Sequence, residues 1–258
     1  MSNSFQAAFT KFLQDLDIGS IKEVSESSLM LETNSGRFAF QLHTYFNEYK
    51  KQAPNLGEAI CIDIYEDQWL SKPEIVKSRV KSKLGLNQTL AGRACKLVSL
   101  TKPEAEVFFE ANHLQGSSSS GIRYGLTYKN ELVAAIAFSK SRVMIDSEVY
   151  YRSYELIKFT NKNGLTVMGG LDKLLKHFSK EKHAQHIMTY IDLDWGDGAS
   201  FLKLGFKEMG SIEEIPFYVD PTTHIRYSQR EFEGIHSTKP SLIKCFNKGS
   251  KKLVLDLR

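Results

Sequence analysis

A chain of 258 residues with a formal net charge of +4 is long for one compact domain, so one large or two modest domains are expected. Hydrophobic content of 41% and charged content of 25% are ordinary for a globular protein, and no apolar run approaches the length that crosses a bilayer. The polar start (Met1 to Thr10) is unlike a signal peptide, and three scattered cysteines, Cys61, Cys95 and Cys245, argue against a disulfide frame and against metal-ligand spacing. The expected address is therefore the cytoplasm, with no membrane partner.

In chain order, Phe5, Phe9, Phe12, Leu13 and Leu16 recur at helical spacing and predict a first helix over 3–16, stopped by Gly19. Two short strand-like runs, Leu29 to Thr33 and Arg37 to His43, flank Asn34-Ser35-Gly36, a hairpin signal. Ala59 to Tyr65 reads as a third strand. Ser71-Lys-Pro-Glu predicts a serine-capped helix running to Leu84 and ending at Gly85. Residues 1–90 thus form a small α+β unit.

A second unit, 93–232, opens with a strand from Cys95 to Leu100. Thr101-Lys-Pro-Glu repeats the cap chemistry, and the helix after it is expected to turn Val107, Phe108 and Phe109 inward. After a serine-rich loop (Gly116 to Gly121), Ile122–Tyr128 and Glu131–Phe138 pair around Lys129-Asn130. A long strand follows from Tyr150 to Phe159. Gly164 to Gly170 leads into a helix with Leu171, Leu174, Leu175 and Phe178 on one face. His186–Ile191 is a strand, Gly198–Leu204 a short helix, and strands follow near Phe206, Phe217 and Ile225. Residues 233–258 read as a basic C-terminal extension.

Two stretches carry chemistry. In Val167-Met-Gly-Gly-Leu-Asp-Lys, glycines between a strand and a helix let the backbone approach a phosphate, which the helix's free N–H groups hold. The other reading of the same residues is a glycine turn that only permits tight packing. The second stretch is Ser200-Phe-Leu-Lys-Leu-Gly-Phe-Lys after a strand. Together with the element order, over roughly 95–219, it resembles the GNAT (N-acetyltransferase-like) family. That resemblance implies a mixed, mainly antiparallel α/β sheet flanked by helices. It also implies acetyl-CoA or another acyl-CoA held by Val167, Met168, Gly169, Gly170, Leu171 and Lys173. The family's loop reads Gln/Arg-x-x-Gly-x-Gly/Ala; this chain keeps only the middle glycine, and Phe201 falls where many members place a proton-donating tyrosine.

A narrower resemblance runs through Tyr65-Glu-Asp-Gln-Trp, Asn112-His-Leu-Gln-Gly, Ile122-Arg-Tyr-Gly-Leu, Tyr154-Glu-Leu-Ile-Lys-Phe, Val167-Met-Gly-Gly and the tail Asn247-Lys-Gly-Ser-Lys-Lys. It is similar to phage proteins labelled Hef-like homing endonucleases, in which a nuclease-like front half resembling very-short-patch-repair enzymes precedes a GNAT-like half resembling the bacteriophage Mom enzyme. The resemblance implies a phage or bacterial host setting and a DNA-related role. Nucleases of this kind cluster carboxylates around Mg²⁺. Here Gln41 stands where the metal-holding glutamate belongs, leaving Glu32 and Asp63, so the front half is expected to be a degenerate remnant.

Candidate catalytic residues are His113, Tyr124, Glu155, Lys158, Tyr190 and Asp192; each has an ordinary structural reading beside the chemical one. His113 and Asp192 would share a proton or help hold a metal if the fold joined them. Candidate nucleic-acid contacts are Lys77, Arg79 and Lys81 on one helix, with Arg226, Arg230, Lys251 and Lys252 toward the end. Three functions follow: a GNAT-like acyltransferase acting on a nucleic-acid base, a non-catalytic DNA-binding accessory, or a residual Mg²⁺-dependent endonuclease.

Overall fold

The structure is a computed structural model that describes residues 4–44, 58–235 and 241–258. It begins with helix α1 (Ser4–Gln14) and strands β1 (Gly19–Ser25), β2 (Ser28–Thr33), β3 (Gly36–His43) and β4 (Ile60–Tyr65), then helices α2 (Glu66–Ser71) and α3 (Pro73–Lys83). Next come β5 (Gln88–Ala91), a single 3-10 turn (Gly92–Ala94), β6 (Lys96–Ser99), α4 (Lys102–Asn112), β7 (Ile122–Tyr128) and β8 (Glu131–Phe138). The middle continues with β9 (Arg142–Asp146), β10 (Val149–Asn161), β11 (Leu165–Met168), α5 (Gly170–Lys182) and β12 (His186–Asp192). The remainder is α6 (Ala199–Leu202), β13 (Lys207–Ile212), β14 (Pro216–Val219), β15 (Arg226–Ser228), α7 (Gln229–Ile235), β16 (Ile243–Phe246) and β17 (Ser250–Asp256). No helix among the described residues is long and apolar enough to cross a membrane.

The chain forms two compact units, each discontinuous in sequence. One comprises 1–73, 192–197 and 211–250; the other comprises 74–191, 198–210 and 251–258. Each therefore draws on both long segments, 1–90 and 93–232.

In the first unit β1, β2 and β3 are antiparallel, and β4 lies parallel to β3 with Gln41 opposite Asp63 and His43 opposite Tyr65. Phe5, Phe9 and Leu13 of α1 are buried at i, i+4 and i+8; the Phe9 ring meets Phe40 and Trp69, each at 5.3 Å between centroids. A separate three-stranded sheet has the order β15-β14-β16. Ser71 is not the expected helix cap. It ends α2, and its hydroxyl donates to the Asp67 carbonyl at 2.6 Å, the back-bonding that serine makes inside a helix.

The second unit is built on an eight-stranded sheet of order β13-β17-β12-β10-β8-β7-β6, with β9 paired to β10. Both faces of β8 are covered. Ala134, Ile136 and Phe138 pack with Leu174, Leu175 and Phe178 of α5, whereas Ala135 and Ala137 pack with Phe108 and Phe109 of α4. Alternation against two helices explains why an unbroken apolar run forms a strand. Thr101 caps α4 reciprocally with Glu104, as expected. Val107, expected inside, is 71% exposed. The buried positions of α4 are Ala105, Phe108, Phe109 and Asn112, a stripe that residue 107 misses. Residues 250–256, expected within a basic extension, are a strand lying between β13 and β12.

Candidate functional site

The glycine turn that opens α5 is the candidate binding element. β11 runs parallel to β5, bringing Met168 opposite Ala91, and the chain then enters the helix through Gly169 at φ 72° and ψ 6°. This left-handed conformation favours glycine, and glycine leaves the helix with no side-chain cap. A Cβ on Gly169 would meet nothing within 4 Å, so the turn is open in front. Behind, it is closed. A Cβ on Gly92 would lie 2.8 Å from the Met168 carbonyl oxygen and 3.1 Å from both the Gly169 carbonyl carbon and the Gly170 nitrogen. Gly170 is equally confined by Val167 and Leu126.

Lys173, expected beside an anion, serves elsewhere. Its Nζ donates to the carbonyls of Gly92 (3.1 Å) and Cys95 (2.6 Å), clamping the 3-10 turn under the helix. Burial pushes the Cys95 thiol up, partly opposed by the Lys173 charge. Val167 is buried, Leu171 half-buried, and Met168 is 59% exposed at the mouth of the turn.

The sheet divides next to this crossover. β10 and β12 are parallel and in register from Ser153/His186 to Glu155/Met188, yet β10 continues to Asn161 and β12 to Asp192. Where they part, β10 carries a bulge between Leu156 and Lys158, and Thr189 Oγ1 donates to the Leu156 carbonyl at 2.9 Å. Parallel strands that part expose backbone groups at their carboxyl ends, where open α/β sheets take ligands. Because β11 and α5 together cross over from β10 to the parallel β12, the N-terminus of α5 belongs to that same end of the sheet. Lys158, 5% exposed, follows the bulge directly.

Of the other catalytic candidates, Tyr124 is buried with its ring edge-on to His177 at 4.9 Å. Burial first, then a hydrogen bond and charge repulsion from Glu181, push its hydroxyl up to about 12, so it keeps its proton at neutral pH. His177 Nε2 lies 2.8 Å from Glu181 Oε2 one turn along α5. The sequence signal for these two partners is their i,i+4 spacing beside Phe178. Glu155 is half-buried; its N–H donates to Ser139 Oγ at 2.9 Å and its carbonyl accepts the Ser139 N–H at 2.9 Å. Tyr190 is 40% exposed.

His113 and Asp192 fall in different compact units. His113 ends α4 and its Nδ1 accepts the Gln115 N–H at 3.2 Å. Asp192 accepts the Asp194 N–H at 3.0 Å, a local turn.

The first unit holds its own polar cluster. Asp63, fully buried, lies between His43 Nε2 at 2.7 Å and the Lys248 ammonium. Gln41 is occupied: its Oε1 accepts the Ser28 hydroxyl at 2.5 Å and its Nε2 donates to Ser27 Oγ at 2.9 Å. Glu32 is exposed and paired with Arg37. Asp194 Oδ1 accepts the Lys248 N–H at 2.9 Å and the Tyr65 hydroxyl at 3.3 Å. Burial and the neighbouring Asp192 push the Asp194 carboxyl up to about 7, with Lys248 N–H opposing and Asp63 adding. Among the described residues, no three histidine, cysteine or carboxylate side chains are placed to hold a metal ion.

The expected nucleic-acid contacts are distributed over both units. Lys77 pairs with Glu74 at 2.9 Å, and Arg79 and Lys81 are half-buried on the same helix. Arg226 is a structural residue: it grips Asp67 with two bonds of 2.8 and 2.9 Å, and its guanidinium lies 3.6 Å from the Phe217 ring centroid. Arg230 is exposed, Lys251 bonds Glu208 at 3.0 Å, and Lys252 is half-buried.

No family model and no curated protein matches the sequence. Among solved structures the chain is similar to the ribosomal-protein-S18-alanine N-acetyltransferase from Escherichia coli, with 13% identity, 63% of this chain and 94% of that chain covered, and a TM-score of 0.41. It is also similar to a GNAT family acetyltransferase from Elizabethkingia anophelis with acetyl-CoA bound (13% identity, 64% and 99% covered, TM-score 0.39). A Bacillus subtilis acetyltransferase in complex with CoA matches at 16% identity, with 64% and 99% covered and a TM-score of 0.41. At these scores the likeness assigns no residue roles to this chain.

Proposed function

We propose that the second unit is an acyltransferase of the GNAT type that takes acetyl-CoA or a related acyl-CoA, and that its acceptor is a nucleic-acid base, as the resemblance to the Mom enzyme implies. The observation that supports this reading is the coincidence of an uncapped, glycine-opened helix with the divergence of β10 and β12. The residues fit an anionic donor: Gly169 presents open space, and the N–H groups of a helix's first turn favour a pyrophosphate. An acyl-CoA supplies a thioester whose acyl group passes to a nucleophile. The backbone edges beyond Glu155 and Met188 would align that thioester, while Lys173 holds the floor of the turn in place. Tyr124, protonated at neutral pH, does not serve as the base that removes a proton. A base in a duplex would have to be flipped or single-stranded to react.

Thermal melting with and without acetyl-CoA tests the donor. Stabilisation of the wild type is expected. Met168→Glu puts a carboxylate at the exposed mouth without touching the core, so it should keep the ligand-free melting temperature and lose the acetyl-CoA shift. Absence of any shift with acyl-CoA esters would overturn the reading. Transfer of labelled acetyl to single-stranded DNA in preference to duplex tests the acceptor.

A non-catalytic, DNA-binding role for the first unit is the second reading, favoured by Gln41 and Lys248: the amide is bound to serines, and an ammonium already neutralises Asp63. We infer that this unit does not cleave DNA. An intact plasmid after incubation with Mg²⁺ or Mn²⁺ is the expected outcome, and nicking would refute it.

A further inference from the structure

We propose that β9 is a homodimerisation edge, pairing antiparallel with β9 of a second copy about a two-fold axis through Met144. Among the described residues β9 hydrogen-bonds as a strand on one side only, to the first half of β10, and all five of its residues are exposed. Its other side is therefore an open sheet edge. Natural edges are usually guarded by lysine, proline or a bulge; β9, Arg142-Val-Met-Ile-Asp146, has none of these in its interior. It is also apolar where a guarded edge would be charged. Val143 is 67% exposed and Ile145 61%, and the adjoining Val149 and Tyr150 of β10 are 60% and 67% exposed. By register, Val143, Ile145 and Tyr150 share one face of this ribbon and Met144 (43% exposed) and Val149 the other, so both faces beside the edge are apolar.

The sequence of β9 names the occupant, because it is complementary to itself read backwards. With Met144 on the axis, Val143 faces the second copy's Ile145, and Arg142 faces the second copy's Asp146, at both ends of the pairing. Sliding the pairing by one residue would set Arg142 against Ile145 and Asp146 against Ser141, losing both ion pairs. The register is thus specified by charge. Asp146 already meets Arg258 Nη1 of its own chain at 3.0 Å, which holds the carboxylate at the strand end while leaving it capacity for a second donor. A five-residue pairing is short beside the roughly 1,200 Å² of a stable interface, so the dimer is expected to be weak and reversible.

The test is analytical ultracentrifugation of the full chain over a concentration series reaching the high micromolar range. The wild type is expected to show a reversible monomer–dimer equilibrium. Arg142→Asp and Asp146→Arg should each weaken association at least tenfold, because like charges then face one another twice; Arg142→Asp is the cleaner variant, since it leaves the Asp146–Arg258 pair intact. An equimolar mixture of the two variants should associate like the wild type, with opposite charges facing again at both ends. Melting temperatures verify that the exposed substitutions leave the fold unchanged. A wild type that stays monomeric throughout, variants that dimerise undiminished, or a mixture that does not recover would each overturn the proposal.

Discussion

Replacing Gly92 by alanine is the sharpest probe of the candidate site, because the added methyl acts on the turn from behind. At 2.8 Å from the Met168 carbonyl oxygen and 3.1 Å from two backbone atoms of Gly169 and Gly170, that methyl has no flexible side chain to push aside. Either the Gly169 turn moves outward or the 3-10 turn moves away, and Lys173, bonded to the Gly92 and Cys95 carbonyls, resists the second. Overpacking of this kind costs about 1–3 kcal/mol. In a domain of this size that is a drop of roughly 2–10 °C in melting temperature. Gly169→Ala is the comparison: its methyl enters open space, and its cost is only the left-handed conformation, about 1–2 kcal/mol. Differential scanning fluorimetry with and without acetyl-CoA reads both effects. Gly92→Ala is expected to lower the melting temperature and to shrink the acetyl-CoA shift. A variant that melts with the wild type and keeps the full shift would refute the close approach and the part assigned to the turn.

Two further outcomes concern the first unit. The folded state binds a proton at Asp194 more tightly than the unfolded chain, whose carboxyl titrates near 3.8 against about 7 when buried, so stability should fall as pH rises between those values. The slope is at most about 1.4 kcal/mol per pH unit; urea midpoints from pH 5 to 8 should show it in the wild type and not in Asp194→Asn, and equal slopes would contradict the assignment. Arg226→Met leaves the Asp67 carboxylate buried without its partner and should cost about 3–5 kcal/mol, whereas Arg230→Ala, on an exposed position, should stay within about 0.5 kcal/mol; equal effects on stability would mean that Arg226 is a surface residue after all.

Where a structural feature was legible in the sequence, its cause was local. The Thr101–Glu104 capping box, the Asn34–Gly36 hairpin and the Lys129-Asn130 turn, with φ of 50° and 66°, are each fixed by a few neighbouring residues. β1 was invisible because its residues are almost all exposed and it exists only by pairing with β2. α2 gives no start signal, since the Tyr65 side chain at its cap makes no capping bond to the helix. In the candidate site, Gly169 could be found as a glycine between strand and helix, but Gly92 could not, because its smallness is demanded by a turn distant in sequence. Lys173 and Arg226 look like free cations in a sequence. Only the fold reveals that backbone carbonyls hold the first and a buried carboxylate the second. Asp63, similarly, meets Lys248 from the other end of the chain.

The position of β17 governs the order in which this protein can assemble. A strand made from residues 250–256 is inserted between strands made from 186–192 and 207–212. Those two segments leave the ribosome earlier and cannot close on each other without excluding it. Nascent chains halted before residue 250 should therefore carry an unsealed gap in the sheet, a natural place for a chaperone to hold. Disrupting residues 250–256 should therefore be far more damaging than their number would suggest.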